Sequence, residues 1–258
     1  MERNPTLPFV FDPDKLERLA SEQHEAYVRA TPFPHIVLDD FLSEEVLEKV
    51  LDEFPKPGQA SWLTLYHENS KKLALNDEKQ FGENTRRILT ELNSSTFLRF
   101  LEKLTGIEGL VPDPHFWGGG LHQIERGGFL NVHADFNWYE KLKLDRRLNL
   151  LLYLNKGWLE EYGGHLELWS RDMSRSEKKV LPVFNRCVVF STTDFSYHGH
   201  PTPLTCPEGW TRKSLALYYY TNGRPLGEVS RPHSTLYQKP GGKRGFDLRS
   251  LLKWLIHK

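Results

Sequence analysis

Two side chains able to hold a metal ion stand two residues apart in Asn131-Val132-His133-Ala134-Asp135. The segment reads as the end of a β-strand, where residues i and i+2 point to the same face. His133 and Asp135 can therefore offer an imidazole nitrogen and a carboxylate oxygen to one cation. A third ligand must come from a different strand. Ser196-Tyr197-His198-Gly199-His200-Pro201 supplies two candidates, His198 and His200, which face the same way on an extended segment. Two histidines and one carboxylate on one side of a metal leave its other positions open. That arrangement suits non-haem Fe(II) that must also bind a co-substrate and dioxygen. A closed four-ligand set would suit structural zinc, but Cys187 and Cys206 are too few for a cysteine-rich zinc site. An isolated His-x-Asp is a common surface pattern, so the pair gains weight only from its companions.

One companion is Arg212, in Thr211-Arg212-Lys213-Ser214, with Leu215, Leu217 and Tyr219 alternating beyond it. An arginine at the start of a core strand points partly inward, and a buried guanidinium requires an anionic partner. A dicarboxylate co-substrate would provide one by bidentate pairing. Ser214, two residues on, shares that face and could donate a hydroxyl. The other reading is a surface arginine in a basic turn beside Lys213, and spacing alone weighs the two equally.

These residues need several strands to position them. After about Leu110, short apolar, branched or aromatic runs alternate with Gly, Asn, Asp and Pro turns. Strand candidates fall at 121–125, 130–133, 148–154, 165–169, 188–191 and 214–221, a spacing that predicts an antiparallel sandwich or barrel. Residues 1–110 read as mainly helical. One helix is expected over 14–30, a second after the capping hydroxyl of Ser43 and ended by Pro55 and Pro57, and a third over 94–105. Residues 35–38 form a short strand candidate between them. The chain thus divides into a helical N-terminal region (1–110) packing on a core (111–222), with a C-terminal extension (223–258). That extension is turn-rich and basic, with a last short helix expected over 247–257.

Composition narrows the class. At 258 residues the chain fits one large domain, and 38% apolar with 26% charged residues reads as soluble and globular. Aromatic residues cluster after Pro112, which suits a β-rich core. The 34 basic and 34 acidic side chains cancel, so the charge gives no support for a nucleic-acid partner. The N-terminus has no apolar signal region and no run reaches the length of a membrane span. With two cysteines read as free thiols, the expected compartment is the cytoplasm.

Several ordered pieces carry a resemblance. They are Gly127-Gly128 leading into His133-Ala134-Asp135, Tyr153-Leu154-Asn155, Gly163-Gly164-His165-Leu166, Tyr197-His198 through Pro203, and Arg212-Lys213-Ser214. Over roughly 115–222 the chain resembles the Fe(II)- and 2-oxoglutarate-dependent dioxygenases, in their prolyl 4-hydroxylase-like branch. The resemblance implies an α+β fold with a double-stranded β-helix (jelly-roll) core beside the α-helical N-terminal region. It implies Fe(II), 2-oxoglutarate and O2 as cofactors and admits ascorbate. It implies decarboxylation of 2-oxoglutarate to succinate coupled to hydroxylation of a peptidyl or small-molecule substrate.

By position, the resemblance makes His133, Asp135 and His198 the iron ligands and pairs Arg212 and Tyr153 with the distal carboxylate of 2-oxoglutarate. His198 is preferred to His200 because the family's distal histidine precedes its proline by several residues. Asp135 favours hydroxylation over halogenation, since related halogenases lack that carboxylate. Gln123 and Glu125 stand near where the family often has a tyrosine. Trp138 and Tyr139 could shape a lid, Asn137 could hold its turn, and His165 either lines the pocket or is a satisfied barrel histidine. A jelly roll could also serve as a cupin-like metal- or sugar-binding module. Oligomeric state is silent in the sequence.

Overall fold

The computed structural model describes residues 9–239. The helix expected over 247–257 lies outside the described residues. The helical spacing of the first half produces four α-helices, α1 (Pro13–Val28), α2 (Glu44–Asp52), α3 (Glu83–Leu92) and α4 (Ser95–Thr105). Asp12 caps α1 through the N–H groups of Asp14 and Lys15, and the Ser94 hydroxyl caps α4 at Phe97. Ser43 occupies the cap position of α2 without a side-chain hydrogen bond. Residues 83–92 carry few apolar positions, which is why α3 was not expected. Its Ile88, Leu89 and Leu92 are nonetheless buried.

The strands are β1 (His35–Leu38), β2 (Leu63–His67), β3 (Ser70–Leu75), β4 (Val111–Pro112), β5 (Gly120–Glu125), β6 (Leu130–Ala134), β7 (Trp138–Tyr139), β8 (Leu144–Tyr153), β9 (Leu166–Trp169), β10 (Ser176–Val180), β11 (Cys187–Ser191), β12 (His198–His200), β13 (Thr211–Thr221) and β14 (Leu236–Tyr237). They pair in the order β1-β11-β8-β13-β5-β3-β6-β12-β9-β10, and the sheet curls into a nearly closed antiparallel jelly roll. This is the α+β, double-stranded β-helix class that the resemblance implied.

Alternation along the two longest strands sorts their side chains onto two faces. Leu148, Leu150 and Leu152 of β8, with Leu215, Leu217 and Tyr219 of β13, pack against Leu47, Ile88, Phe97 and Leu101 of the helices. The opposite face carries Asn149, Leu151, Arg212, Ser214 and Tyr218, which line a cavity inside the barrel. Arg212 therefore points inward, on the face opposite the leucines that follow it. Fully burying each such apolar side chain contributes roughly 1.5–3 kcal/mol, so the helical layer fixes the floor on which the cavity stands.

The hairpin of β2 and β3 was not expected from the sequence. β2 is exposed along its whole length, Leu63 and Leu65 included, so its apolar residues mark no buried face. β3 nevertheless enters the barrel beside β5 and touches β6 at Ser70 and Leu130. Among the described residues, no helix is long and apolar enough to cross a membrane.

Candidate active site

The register of β12 on β6 sets His198 directly opposite His133. Opposed residues share a face, and the two rings lie with centroids 4.5 Å apart. Close approach of the strands depends on Gly199. A Cβ there would sit 2.8 Å from the Leu130 carbonyl oxygen and 2.9 Å from that of Asn131. His133 donates from Nδ1 to the Asn131 carbonyl at 2.8 Å, and His198 from Nδ1 to the Ser196 carbonyl at 2.9 Å. A carbonyl only accepts, so each Nδ1 holds the proton and each Nε2 presents a lone pair.

Asp135 lies just beyond β6. Its Oδ1 is 3.5 Å from His133 Nε2 and its Oδ2 is 3.4 Å from His198 Nε2. Donor atoms of the three residues all fall within 4.8 Å of one another. Burial pushes the His198 imidazole down to about 4, which keeps it neutral as a ligand must be. Burial alone would raise the Asp135 carboxyl. The charge of Arg146 is the largest opposing influence, and the carboxyl lies well below the usual range. Arg146 is 3.1 Å from Asp135 Oδ2, and Asn149 Nδ2 donates to the same oxygen at 2.7 Å. The guanidinium is buried between Tyr218, 3.5 Å from its ring centroid, and Phe136, 4.4 Å away. Arg146-Arg147 looks like a solvated basic pair in the sequence, so its role was not legible there.

Arg212 occupies the same cavity as the three donors. Its Nε donates to the Gly164 carbonyl at 2.7 Å and its Nη2 to the Tyr153 hydroxyl at 3.2 Å. Gly164 has φ of +72°, and a Cβ on it would lie 2.9 Å from Arg212 Cδ, so the second glycine of the Gly163-Gly164 turn makes room for the arginine. Ser214 is paired with Tyr153 across β13 and β8 and lines the cavity. Burial raises the Tyr153 hydroxyl despite the nearby guanidinium, so it stays a neutral donor.

One barrel thus gathers a facial donor set and an inward arginine into one cavity. Residues 119–220 match the model of the 2OG-Fe(II) oxygenase superfamily, a span that includes every residue of that gathering. Over that span the chain is similar to the 2OG-Fe(II) oxygenase superfamily. It is 26% identical over 204 residues to the mouse (Mus musculus) protein named prolyl 3-hydroxylase OGFOD1, covering 76% of this chain and 34% of that one. The chain therefore spans about a third of the length of the curated relative it matches.

Among solved structures, the fold is similar to a prolyl hydroxylase from Trichoplax adhaerens in complex with a hypoxia inducible factor peptide fragment. The TM-score is 0.57 at 18% identity, over 80% of this chain and 91% of that one. It is similar also to a Pseudomonas putida prolyl-4-hydroxylase, with TM-score 0.55 and 16% identity over 79% of this chain and all of that one. A third likeness is to HygX from Streptomyces hygroscopicus with nickel, 2-oxoglutarate and hygromycin B bound. There the TM-score is 0.53 at 11% identity, over 83% and 96% of the two chains.

Other expectations for this oxygenase fold shift in detail. Gln123 is buried but bonds the Pro55 carbonyl and Thr211, and it is His122 and Ile124 that face the cavity. The register is one residue off the neighbourhood considered from the sequence. His165 is outside the cavity, with Nε2 2.6 Å from Glu160 Oε2. His200 is inside it, buried, with neither ring nitrogen hydrogen-bonded. Lys72 of β3 also lines the cavity and had no sequence signal beyond a Lys71-Lys72 pair.

Asn137 holds the C-terminal segment, not its own turn. It donates to Ser230 Oγ and the Arg231 carbonyl and accepts from the His233 N–H. That segment forms a strap beside His133. β14 pairs with β6 at Ala134 and His133, and the Tyr237 ring lies 5.5 Å from the His133 ring. Between the strap and the barrel runs a cleft of about 650 Å³, lined by Trp117, Phe136, Trp138 and Tyr139 on one side and Pro232 and His233 on the other.

Proposed function

We propose that the protein is an Fe(II)- and 2-oxoglutarate-dependent dioxygenase that hydroxylates an unactivated C–H of a peptidyl residue or a small metabolite. The observation that carries this reading is the single cavity holding His133, Asp135, His198 and Arg212. In this reading His133, Asp135 and His198 hold iron, and the donor set fits it: two neutral imidazoles and one carboxylate facing one point. Arg212, Tyr153 and Ser214 receive the distal carboxylate of 2-oxoglutarate. When bound, the metal supplies the redox chemistry that joins dioxygen to 2-oxoglutarate and yields succinate, carbon dioxide and the hydroxylated product.

The rest is the work of this chain's own side chains. The Nδ1 bonds to Asn131 and Ser196 fix both imidazoles in the tautomer a metal needs. Arg146 and Asn149 keep Asp135 ionised and aimed. Arg212, held by Gly164, fixes the far end of the co-substrate so that its other end reaches the metal donors. The aromatic cleft beside Asp135 suits the oxidised part of the substrate. A prolyl ring is the favoured occupant, because the mouse relative is named a prolyl hydroxylase and because Trp117, Trp138 and Tyr139 offer flat apolar surfaces.

We assign the oxygenase core to 111–222, with 1–110 as a helical N-terminal region and 223–258 as a C-terminal extension, and we place the protein in the cytoplasm, in keeping with two free buried thiols. Succinate release in the presence of ferrous iron, dioxygen and a peptide library tests the reading. His133→Ala and Asp135→Ala are each expected to abolish it, and turnover retained in both variants would sink the metal assignment. A metal-binding module without oxygenase activity would bind iron in calorimetry and show no affinity for 2-oxoglutarate.

A further inference from the structure

Arg212 has company at the inner end of the cavity. β13 sets Arg212 opposite Ile124 of β5, and the β3–β5 register that pairs Leu73 with Gln123 sets Lys72 opposite the same Ile124. Lys72, Ile124 and Arg212 therefore stand abreast on three neighbouring strands, and all three line the cavity. Strands lie ~4.8 Å apart, so the two basic residues arise about 10 Å from each other, with side chains long enough to meet over the isoleucine.

Neither cation is balanced. The hydrogen bonds of Arg212 go to the Gly164 carbonyl and the Tyr153 hydroxyl, both neutral. Among the described residues the Lys72 ammonium has no hydrogen bond and no carboxylate within 4.0 Å, and Asp135 acts on it only from farther away. The one carboxylate lining the cavity is Asp135, which already faces Arg146, Asn149 and the two imidazoles. His200 arrives from β12, opposite Leu130, and is 4% exposed with both ring nitrogens lacking a partner. Two unpaired cations and an orphaned imidazole around one small space are costly when empty. Burial pushes the Lys72 ammonium down to about 8, in line with that cost. A carboxylate placed among them accepts from all three and removes the penalty.

We propose that Lys72 and His200 are co-substrate-binding residues that complete, with Arg212, a three-sided clamp on the distal carboxylate of 2-oxoglutarate. The inference rests on the functional reading above. It adds a specificity: 2-oxoglutarate gains a second cationic partner that a 2-oxo acid lacking the distal carboxylate cannot use, so the site prefers 2-oxoglutarate by a wider margin than Arg212 alone would give.

The test is equilibrium binding to the full chain loaded with redox-silent Mn(II), with no turnover involved. Lys72→Met and Lys72→Gln are each expected to weaken 2-oxoglutarate binding by about tenfold or more, while Lys72→Arg restores most of it. His200→Leu is expected to weaken it several-fold, by roughly the loss of one hydrogen bond to a charged group. Binding of 2-oxopentanoate, which keeps the metal-binding end and lacks the distal carboxylate, is expected to be unchanged by the Lys72 substitutions. The clamp is overturned if the Lys72 variants bind 2-oxoglutarate as the parent does, or if they weaken both oxo acids equally. If Arg212→Met loses affinity and Lys72→Met does not, the clamp alone falls. A parent protein that binds Mn(II) but not 2-oxoglutarate brings down the functional reading itself.

Discussion

Asp135 is supported by Asn149 and by the buried Arg146. The guanidinium spends its charge on Asp135 and its hydrogen bonds on Asn149, while its flat face is covered by two aromatic rings. Arg146→Met keeps an apolar stem against Tyr218 and Phe136 and removes the charge. Loss of such an outer partner typically costs 10–100-fold in metal affinity, so Mn(II) binding is expected to weaken by roughly that factor with the fold retained. Unchanged affinity would show that Asn149 alone suffices. The contrast with legibility is instructive at this scale. His133 and Asp135 were readable because i and i+2 alternation puts them on one face, whereas for Arg212 and Ser214 spacing left two readings open and the family resemblance favoured the inward one. Arg146 and Lys72 were not readable, because each sits in a dibasic pair whose direction depends on a register that one strand's sequence does not contain.

At the scale of elements, the strap from Ser230 to Tyr237 is the part with least to hold it. Its anchors are the hydrogen bonds of Asn137, the Asp194 contacts to Ser230 at 3.0 Å and His233 at 2.9 Å, and the short β14 pairing. Burial works to raise the Asp194 carboxyl, but the bonds and charge of His233 and the Ser230 hydroxyl hold it below the usual range. A carboxyl lowered in the folded state contributes stability above its unfolded pKa, and loses it as the pH falls through the lowered value. The strap is therefore expected to stay docked through mildly acidic solution and to loosen in stronger acid. Asp194→Ala is expected to release it at neutral pH, at a cost of about 1–3 kcal/mol for the deserted donors. Hydrogen exchange at Leu236, Tyr237 and Gln238 reads this directly, and exchange as slow as in the parent would discount the anchor. Neither the strap nor the β2–β3 hairpin was legible in the sequence. β14 has two residues and β2 is exposed throughout, so the place of both pieces is decided by the sheet they join, whereas α4 and β13 carry their own apolar period.

For the whole molecule, apolar core and reactive cavity occupy opposite faces of the same sheet. The helical layer packs on one side of β8 and β13 and the donors lie on the other. Stripping the metal should therefore leave the fold standing and remove only the binding contribution. At a hundred times its dissociation constant a bound metal adds about 2.7 kcal/mol, and a chain of this size gains about 2–4 °C per kcal/mol. Chelation is expected to lower Tm by roughly 5–10 °C in calorimetry, and collapse of the transition would mean that the metal builds the barrel. The pairing of His133 with His198 has a further consequence, one of time. β6 leaves the ribosome early, yet its partner β12 follows only after β7 through β11 have been made. A nascent chain that has reached β11 carries His133 and Asp135 but no third donor, and its clamp arginine is still unmade. If these residues hold the metal as proposed, the donor set is complete only once β12 has joined β6.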